Sequence, residues 1–227
     1  MPAAFFLQDL RGGGAERSVV RLVNGMVERG IPVHLVLINR TGSYLDELDK
    51  RVAIHELPQK RTLSSILGFR AYLNEHRPQV VFSTMTHVNI AAIVARMISK
   101  HRPRLVPVEH NQITSNLKLK SGAVKLGYAL VPYLYPLADA VGAVSEGVRR
   151  DIGAFARLPL DKIHVLPNPV VSPELMSLAD DPADHDWYTG KSVEVILAVG
   201  RLTSRKKFTM RSEAFARVRR GMKARRV

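Results

Sequence analysis

Short apolar runs alternate with helical patterns along most of this 227-residue chain. The run at 3–7 is followed by a helical pattern at 15–29, and the same order recurs through 105–108 and beyond. Strands separated by helices of about 10–15 residues are typical of parallel βαβ units. Crossover helices cover both faces of such a sheet. The sequence therefore predicts an α/β fold, with a parallel sheet and helices on both faces.

The predicted elements fall into three segments. The predicted strands are 3–7, 33–38, 52–57, 80–83, 105–108, 140–144, 163–166 and 193–199. The predicted helices are 15–29, 63–75, 89–99, 119–135 (a helix with breaks), 146–155 and 207–220. Prolines after the seventh strand and an acid-rich stretch at 180–186 indicate a boundary. We predict a first domain at 1–170, a linker at 171–192 and the start of a second domain at 193–227. About 35 residues are too few for an independent α/β domain, so we predict that the second domain is incomplete.

The charge is concentrated at one end of the chain. The net charge is +14, but 201–227 contains eleven Lys and Arg residues against the single acid Glu213. A basic segment on a nearly balanced body leaves two hypotheses open: nucleic-acid binding, and a basic loop and helix that serve a phosphorylated ligand. We favour the second and expect no nucleic acid.

Absent features exclude several classes of protein. The chain has no cysteine, which excludes disulfide scaffolds, thiolate metal sites and cysteine nucleophiles. The eight histidines show no linear metal-ligand spacing, so we expect no metal in the functional site. No secretory signal and no apolar run of about 18 residues is present, which predicts a cytoplasmic protein. Lysines and apolar residues alternate at 117–133, which fits either contact with an anionic membrane surface or an ordinary amphipathic helix.

A glycine run lies between the first predicted strand and the first helix. Gly12, Gly13 and Gly14 allow a ligand to approach the backbone closely, and the helix N-terminus offers N–H groups to an anion. The run is either a phosphate- or sugar-binding loop or a flexible turn. A dinucleotide fingerprint is excluded, because Arg17 stands where its third glycine is needed.

Two further polar segments follow predicted strands. Glu109, His110 and Asn111 come after strand 105–108, at the sheet edge where open α/β folds bind ligands. They fit a sugar site in which His110 handles a proton, or a capping loop. The loop after strand 193–199 carries Arg201 and Lys206, which fit a diphosphate clamp or a solvated basic loop.

Five stretches in order resemble glycosyltransferase family 4, whose members have the GT-B fold. They are Gly13-Gly14-Ala15-Glu16-Arg17, Glu109-His110-Asn111, Ala143-Val144-Ser145-Glu146-Gly147-Val148, Ile163-His164-Val165-Leu166-Pro167-Asn168-Pro169-Val170 and Ile196-Leu197-Ala198-Val199-Gly200-Arg201-Leu202. The resemblance implies a Rossmann-like N-terminal domain on the acceptor side. It implies retaining transfer from a nucleotide-sugar to a glycan or lipid-linked acceptor, with no obligatory metal.

The resemblance also assigns roles by position. Gly13 and Gly14 would lie near the donor diphosphate, and His110 would lie beside the transferred sugar as the catalytic candidate. Arg201 and Lys206 would neutralise the departing diphosphate. Glu109 and Asn111 are the candidates for acceptor or sugar binding.

The family's second domain carries a pair of glutamates, and this chain ends before the region that would contain them. The expectation is a truncated transferase of cell-surface polysaccharide, lipopolysaccharide or glycolipid biosynthesis with little activity alone. It would contact the inner membrane face peripherally. The alternatives are a non-catalytic binding module and a nucleic-acid binder that uses the basic segment.

Overall fold

The computed structural model describes residues 1–58, 62–118, 122–171, 173–182, 185–189, 195–200, 202 and 206–224. The chain divides into two compact units, Met1–Ser172 and Pro173–Val227. The first unit contains the sheet and both hydrophobic cores, and the candidate site lies in it.

Seven parallel strands form the sheet of the first unit, in the order β3-β2-β1-β4-β5-β6-β7. The strands are β1 (Ala3–Leu7), β2 (Val33–Leu37), β3 (Ala53–Glu56), β4 (Val80–Thr84), β5 (Arg104–Glu109), β6 (Val141–Ala143) and β7 (Ile163–Val165). The strands are added toward one edge of the sheet from β1 to β3 and toward the other edge from β4 to β7, so the strand order reverses at β1, which pairs with both β2 and β4. The predicted parallel α/β architecture is confirmed.

Helices connect these strands in the first unit. They are α1 (Gly14–Glu28), α2 (Ser65–His76), α3 (Thr86–Met97), α4 (Ile113–Leu117), α5 (Gly122–Ala129), α6 (Val131–Leu134) and α7 (Glu146–Ala156). The broken helix predicted over 119–135 is confirmed in its described part: α5 and α6 occupy it as separate short helices, and a 3-10 turn follows at Tyr135–Leu137. Pro132 and Pro136 account for the break, because a proline lacks the N–H that continues a helix.

Side-chain alternation along β1 separates two hydrophobic cores. Phe5 points to the face covered by α1 and stacks on Phe82, with ring centroids 5.1 Å apart. Phe6 points to the opposite face and stacks on Phe69 of α2 at 4.0 Å. Both phenylalanines of β1 are almost fully buried. Such two-sided burial explains why the strand is a continuous apolar run rather than an alternating one.

The second unit is helical in its described residues. It contains α8 (Pro173–Ala179), α9 (Asp186–Thr189) and α10 (Phe208–Ala224). The strand predicted over 193–199 is wrong in its described part, since 195–199 has no strand structure. Most of these residues are apolar and exposed, and the described residues of this unit include no strand with which they could pair.

Candidate active site at the C-terminal edge of the sheet

The C-terminal ends of the parallel strands meet at one edge of the sheet. β1 and β5 both flank β4, so their ends are about 10 Å apart across the sheet. The loops after β1, β4 and β6 lead into the N-termini of α1, α3 and α7. Because a helix N-terminus carries partial positive charge, this edge favours anions and polar ligands.

The glycine loop forms the entry to α1. Gly13 is the extended N-cap residue, and no side-chain cap hydrogen bond is made there. Gly12 has a φ of +106°, which favours glycine. A methyl group at Gly14 would meet open space, so the first turn of α1 is accessible at that point. The loop therefore has the geometry of an anion-binding helix start.

The residue that comes nearest to Gly13 is an acid. A methyl group added at Gly13 would lie 2.1 Å from Oε2 of Glu16, because this side chain folds back over the loop. Oε2 is buried and has no hydrogen-bond partner among the described residues. A phosphate at Gly13 would meet this carboxylate, and the flexible side chain must move away for the phosphate to bind.

A neighbouring turn supports the glycine loop from beneath. The Leu10 N–H donates to the Thr41 carbonyl at 2.9 Å. Gly42 has a φ of +129°, and a methyl group there would lie 2.0 Å from the Leu10 carbonyl carbon. The buried Asp9 carboxylate accepts a hydrogen bond from the Arg11 backbone N–H at 3.2 Å. It also forms an ion pair with the Arg11 guanidinium at 2.8 Å. These contacts fix the path of the loop between β1 and Gly13.

His110 directly follows β5 and is half-buried. Its Nδ1 is buried, and no described residue provides a hydrogen-bond partner for it. Burial lowers the pKa of His110 from 6.5 to about 4, so the imidazole is neutral at physiological pH. A neutral ring accepts a hydrogen bond at one nitrogen and donates at the other, which suits contact with a sugar hydroxyl.

Glu109 lies on the other side of this loop, inside the protein. Alternation along β5 places its side chain on the same face as Leu105 and Pro107, and the residue is only 2% exposed. The carboxylate accepts from Thr86 Oγ1 and Asn89 Nδ2, both at 3.1 Å, and from the Tyr135 hydroxyl. Burial raises the pKa of Glu109 to about 7, and these three hydrogen bonds oppose the rise. The carboxylate thus contacts the interior of the first unit, whereas the acceptor role predicted for it needs a contact outside.

Asn89 links this buried network to β4. Its amide accepts from Ser83 Oγ at 2.8 Å and donates to the Val108 carbonyl at 3.1 Å. The backbone between β4 and α3 is strained, since Met85, the N-cap residue of α3, has a φ of +80°. Strain of this kind persists where surrounding contacts fix it, and it clusters at functional sites. The Met85 N–H donates to the Val108 carbonyl at 3.3 Å, which joins the ends of β4 and β5.

The remaining predicted site residues lie in different places. Asn111 follows His110 in the same loop and is half-buried. Lys206 belongs to the second unit, where a methyl group at Gly200 would lie 3.4 Å from its side chain. Arg201 lies outside the described residues. The structure therefore places Gly13, Gly14, His110 and Asn111 in the loops at one sheet edge, with Glu109 buried beneath.

The first unit is therefore a Rossmann-like α/β domain of the open-sheet class, with a glycine loop and a histidine at the C-terminal edge of its sheet. The model of Glycosyltransferase Family 4 matches residues 12–172. The chain belongs to Glycosyltransferase Family 4.

Solved structures support the same fold. The lipopolysaccharide outer core galactosyltransferase WaaB, in its apo form, is 21% identical with a TM-score of 0.58, and the match covers 75% of this chain and 46% of that one. HepE from Anabaena, in complex with UDP and glucose, is 16% identical with a TM-score of 0.58, covering 79% and 49%. Sucrose-phosphate synthase from Thermosynechococcus elongatus is 11% identical with a TM-score of 0.55, covering 74% and 48%.

At these low sequence identities, the similarity to the three solved structures shows the fold alone. The chain spans about half the length of each of these three structures. No curated protein matches the sequence at a significant level.

Proposed function

We propose that the first unit is the acceptor-side domain of a retaining, nucleotide-sugar-dependent glycosyltransferase. The single observation that carries the proposal is the composition of the sheet edge. An uncapped helix start at Gly13 and Gly14 offers N–H groups to a diphosphate. His110 lies two strands away, and its buried Nδ1 has no hydrogen-bond partner in the described part of the chain. Family membership and the UDP complexes of HepE, a protein of similar fold, support a nucleotide-sugar as donor.

Each group has a distinct part in the proposed reaction. His110 donates or accepts a hydrogen bond at a hydroxyl of the transferred sugar, and its neutral state keeps both options open. The resemblance to the family, and no contact between the units, is the basis on which we assign to Arg201 and Lys206 the neutralisation of the leaving diphosphate, without an obligatory metal. Glu109 acts as a positioning residue: its network fixes the end of β5 and so the direction in which His110 leaves the sheet.

We propose a cell-surface polysaccharide, lipopolysaccharide or glycolipid precursor as the acceptor class. The chain runs from His110 into α4, and an apolar groove lined by Leu117, Leu126 and Phe155 follows. Leu126 is 71% exposed and Tyr133 is 74% exposed, and Lys125, next to Leu126 in the sequence, is also exposed. Apolar side chains beside a lysine suit peripheral contact with an anionic membrane surface, where a lipid-linked acceptor resides. No described helix is both long and apolar enough to cross a bilayer.

The proposed function is tested by calorimetric titration with a panel of nucleoside-diphosphate sugars, combined with an assay for sugar transfer to a glycolipid extract. We expect weak, saturable binding of one donor and little or no transfer by these 227 residues. Robust turnover would show that no further donor-binding region is needed. Binding of no donor by the folded chain, at millimolar concentration, would remove the diphosphate role of Gly13 and Gly14.

A further inference from the structure

Three histidines from three separate elements meet on the face of the sheet that α2 covers. His34 is the second residue of β2, His55 belongs to the edge strand β3, and His76 is the last residue of α2. One candidate ligand atom from each ring lies within 4.8 Å of those from the other two. Ring centroids are 4.6 Å apart for His34 and His55, 4.3 Å for His55 and His76, and 5.6 Å for His34 and His76.

Among the described residues, the contacts around the three rings leave one buried ring nitrogen without a hydrogen-bond partner. His55 Nε2 is buried and has no hydrogen-bond partner among the described residues. A buried polar nitrogen without a partner costs about 1–3 kcal/mol, which a bound ion would offset. His34 Nδ1 lies 2.9 Å from the Tyr72 hydroxyl, a contact that orients the ring as outer-sphere partners orient metal-bound histidines. Glu75 supplies a carboxylate 3.8 Å from His76 Nε2.

We propose that His34, His55 and His76 bind one divalent transition-metal ion of the zinc class. Imidazole nitrogen is a preferred ligand of zinc, nickel, copper and cobalt, and poorly suits magnesium or calcium. Zn–N bonds of about 2.0–2.1 Å place tetrahedral ligands about 3.4 Å apart. Nitrogens within 4.8 Å therefore need movements on the order of 1 Å, which side-chain rotation supplies. Water or Glu75 completes the coordination.

The position of the cluster indicates a structural role. α2 runs back along the sheet, so His76 lies four residues before β4 begins, toward the N-terminal ends of the strands. The candidate active site lies at the opposite, C-terminal edge. A bound ion would tie α2 to the paired strands β2 and β3 at the edge of the sheet. The three ligands are far apart along the chain, which is why linear histidine spacing does not predict the site.

The test uses untagged, chelator-treated protein titrated with Zn²⁺ by calorimetry and with Co²⁺ by visible absorption. We expect one ion per chain, tetrahedral Co²⁺ bands and a higher melting temperature with Zn²⁺. His76→Gln, at the end of a helix, is expected to abolish saturable binding. His164→Gln, an exposed histidine on β7, is the matched control and is expected to bind as the unchanged protein does.

Two further variants keep the test decisive. His55→Gln replaces His76→Gln if the latter does not fold by circular dichroism. Tyr72→Phe is expected to weaken Zn²⁺ binding about tenfold while leaving its stoichiometry unchanged. The proposal is overturned if Co²⁺ gives no tetrahedral bands, or if the cluster variants and His164→Gln bind Zn²⁺ equally well.

Discussion

The carboxylate of Glu109 accepts a hydrogen bond from the hydroxyl of Tyr135 in the interior of the protein, beneath the loop that carries His110. Tyr135 is fully buried, and Asn89 Nδ2 also donates to its hydroxyl at 3.1 Å. The acid at the end of β5 is therefore a structural anchor of the site. Its contacts bring α3 and the turn after α6 to the strand that positions the histidine.

Removal of the tyrosine hydroxyl tests this anchor. Tyr135→Phe leaves a buried carboxylate with one donor fewer, so we expect the free energy of unfolding to fall by about 1–3 kcal/mol. The measurement is urea unfolding at pH 7. Tyr133→Phe is the matched control, because that ring is largely exposed and is expected to change stability by less than about 0.5 kcal/mol. Equal effects of the two variants would contradict the anchoring role of the hydrogen bond between Tyr135 and Glu109.

The raised pKa of Glu109 predicts a pH dependence of stability. Burial moves this pKa from 4.5 to about 7, so the folded state holds the proton more tightly than the unfolded state does. The contribution of Glu109 is complete below about pH 4.5 and is lost as pH rises through 7, by roughly 3 kcal/mol in all. His34 and His110, with pKa values lowered to about 4, give the opposite slope below pH 6.5.

Comparison with Glu109→Gln isolates the acid from the histidines. The difference in unfolding free energy between the unchanged protein and this variant is expected to shrink or reverse as pH rises from 5 to 8. Urea unfolding at half-unit pH steps measures it. A difference that stays constant over this range would show that the carboxyl does not titrate there.

Two glycines near the loop are expected to respond in opposite ways. Gly42→Ala places a methyl group 2.0 Å from the Leu10 backbone at a φ of +129°, so we expect a loss of at least about 2 kcal/mol. Gly14→Ala meets open space in a helix and is expected to stabilise the fold by about 0.5–1 kcal/mol. Thermal unfolding measures both variants. Equal tolerance of the two substitutions would contradict the packing of Gly42 against the loop.

The neutral state of His110 is accessible to NMR. Because burial lowers its pKa to about 4, its ring signals are expected to stay constant between pH 5.5 and 8. A histidine-selective spectrum measures this, and His110→Asn assigns the signal. The ring of His164, exposed on β7, provides a reference signal in the same spectra. A titration midpoint near pH 6.5 for His110 would show that its ring is exposed to solvent and would contradict its burial.

Membrane contact is tested with vesicles. Leu126→Ser is expected to lower co-sedimentation with anionic vesicles several-fold, because it removes an exposed apolar side chain beside Lys125. Leu63→Ser is the control, since Leu63 is 79% exposed, precedes α2 and is not among the residues that line the groove. If both variants bind vesicles equally, the surface of α5 is not the contact.

Periodicity predicts most of the fold. All seven strands of the first unit lie at predicted positions. Continuous apolar runs mark the central strands β1 and β2, which are buried on both faces, whereas alternation marks the edge strand β3. The prediction fails where a strand depends on a neighbouring strand. The apolar residues 195–199 have strand composition, but the described part of their unit contains no strand with which they could pair.

The candidate site is harder to predict from the sequence than the fold is, because the direction in which each side chain points matters more than its residue type. Glu109, His110 and Asn111 are adjacent in sequence, but alternation along β5 turns Glu109 inward. That alternation is visible in the sequence, since Leu105 and Pro107 share its parity. The positive φ of Met85 and the packing of Gly42 against Leu10 depend on contacts between distant segments, and no local pattern indicates them.

The central claim is that a nucleotide-sugar binds at the C-terminal edge of the sheet. The most direct measurement is a backbone-amide NMR titration of the isotope-labelled chain with a panel of nucleoside-diphosphate sugars at physiological salt. The account predicts saturable shifts for one donor at Gly13, Gly14 and His110, and predicts that His110→Asn weakens its binding. Shifts confined to the basic residues of 206–224, or no shifts with any donor, would contradict the account.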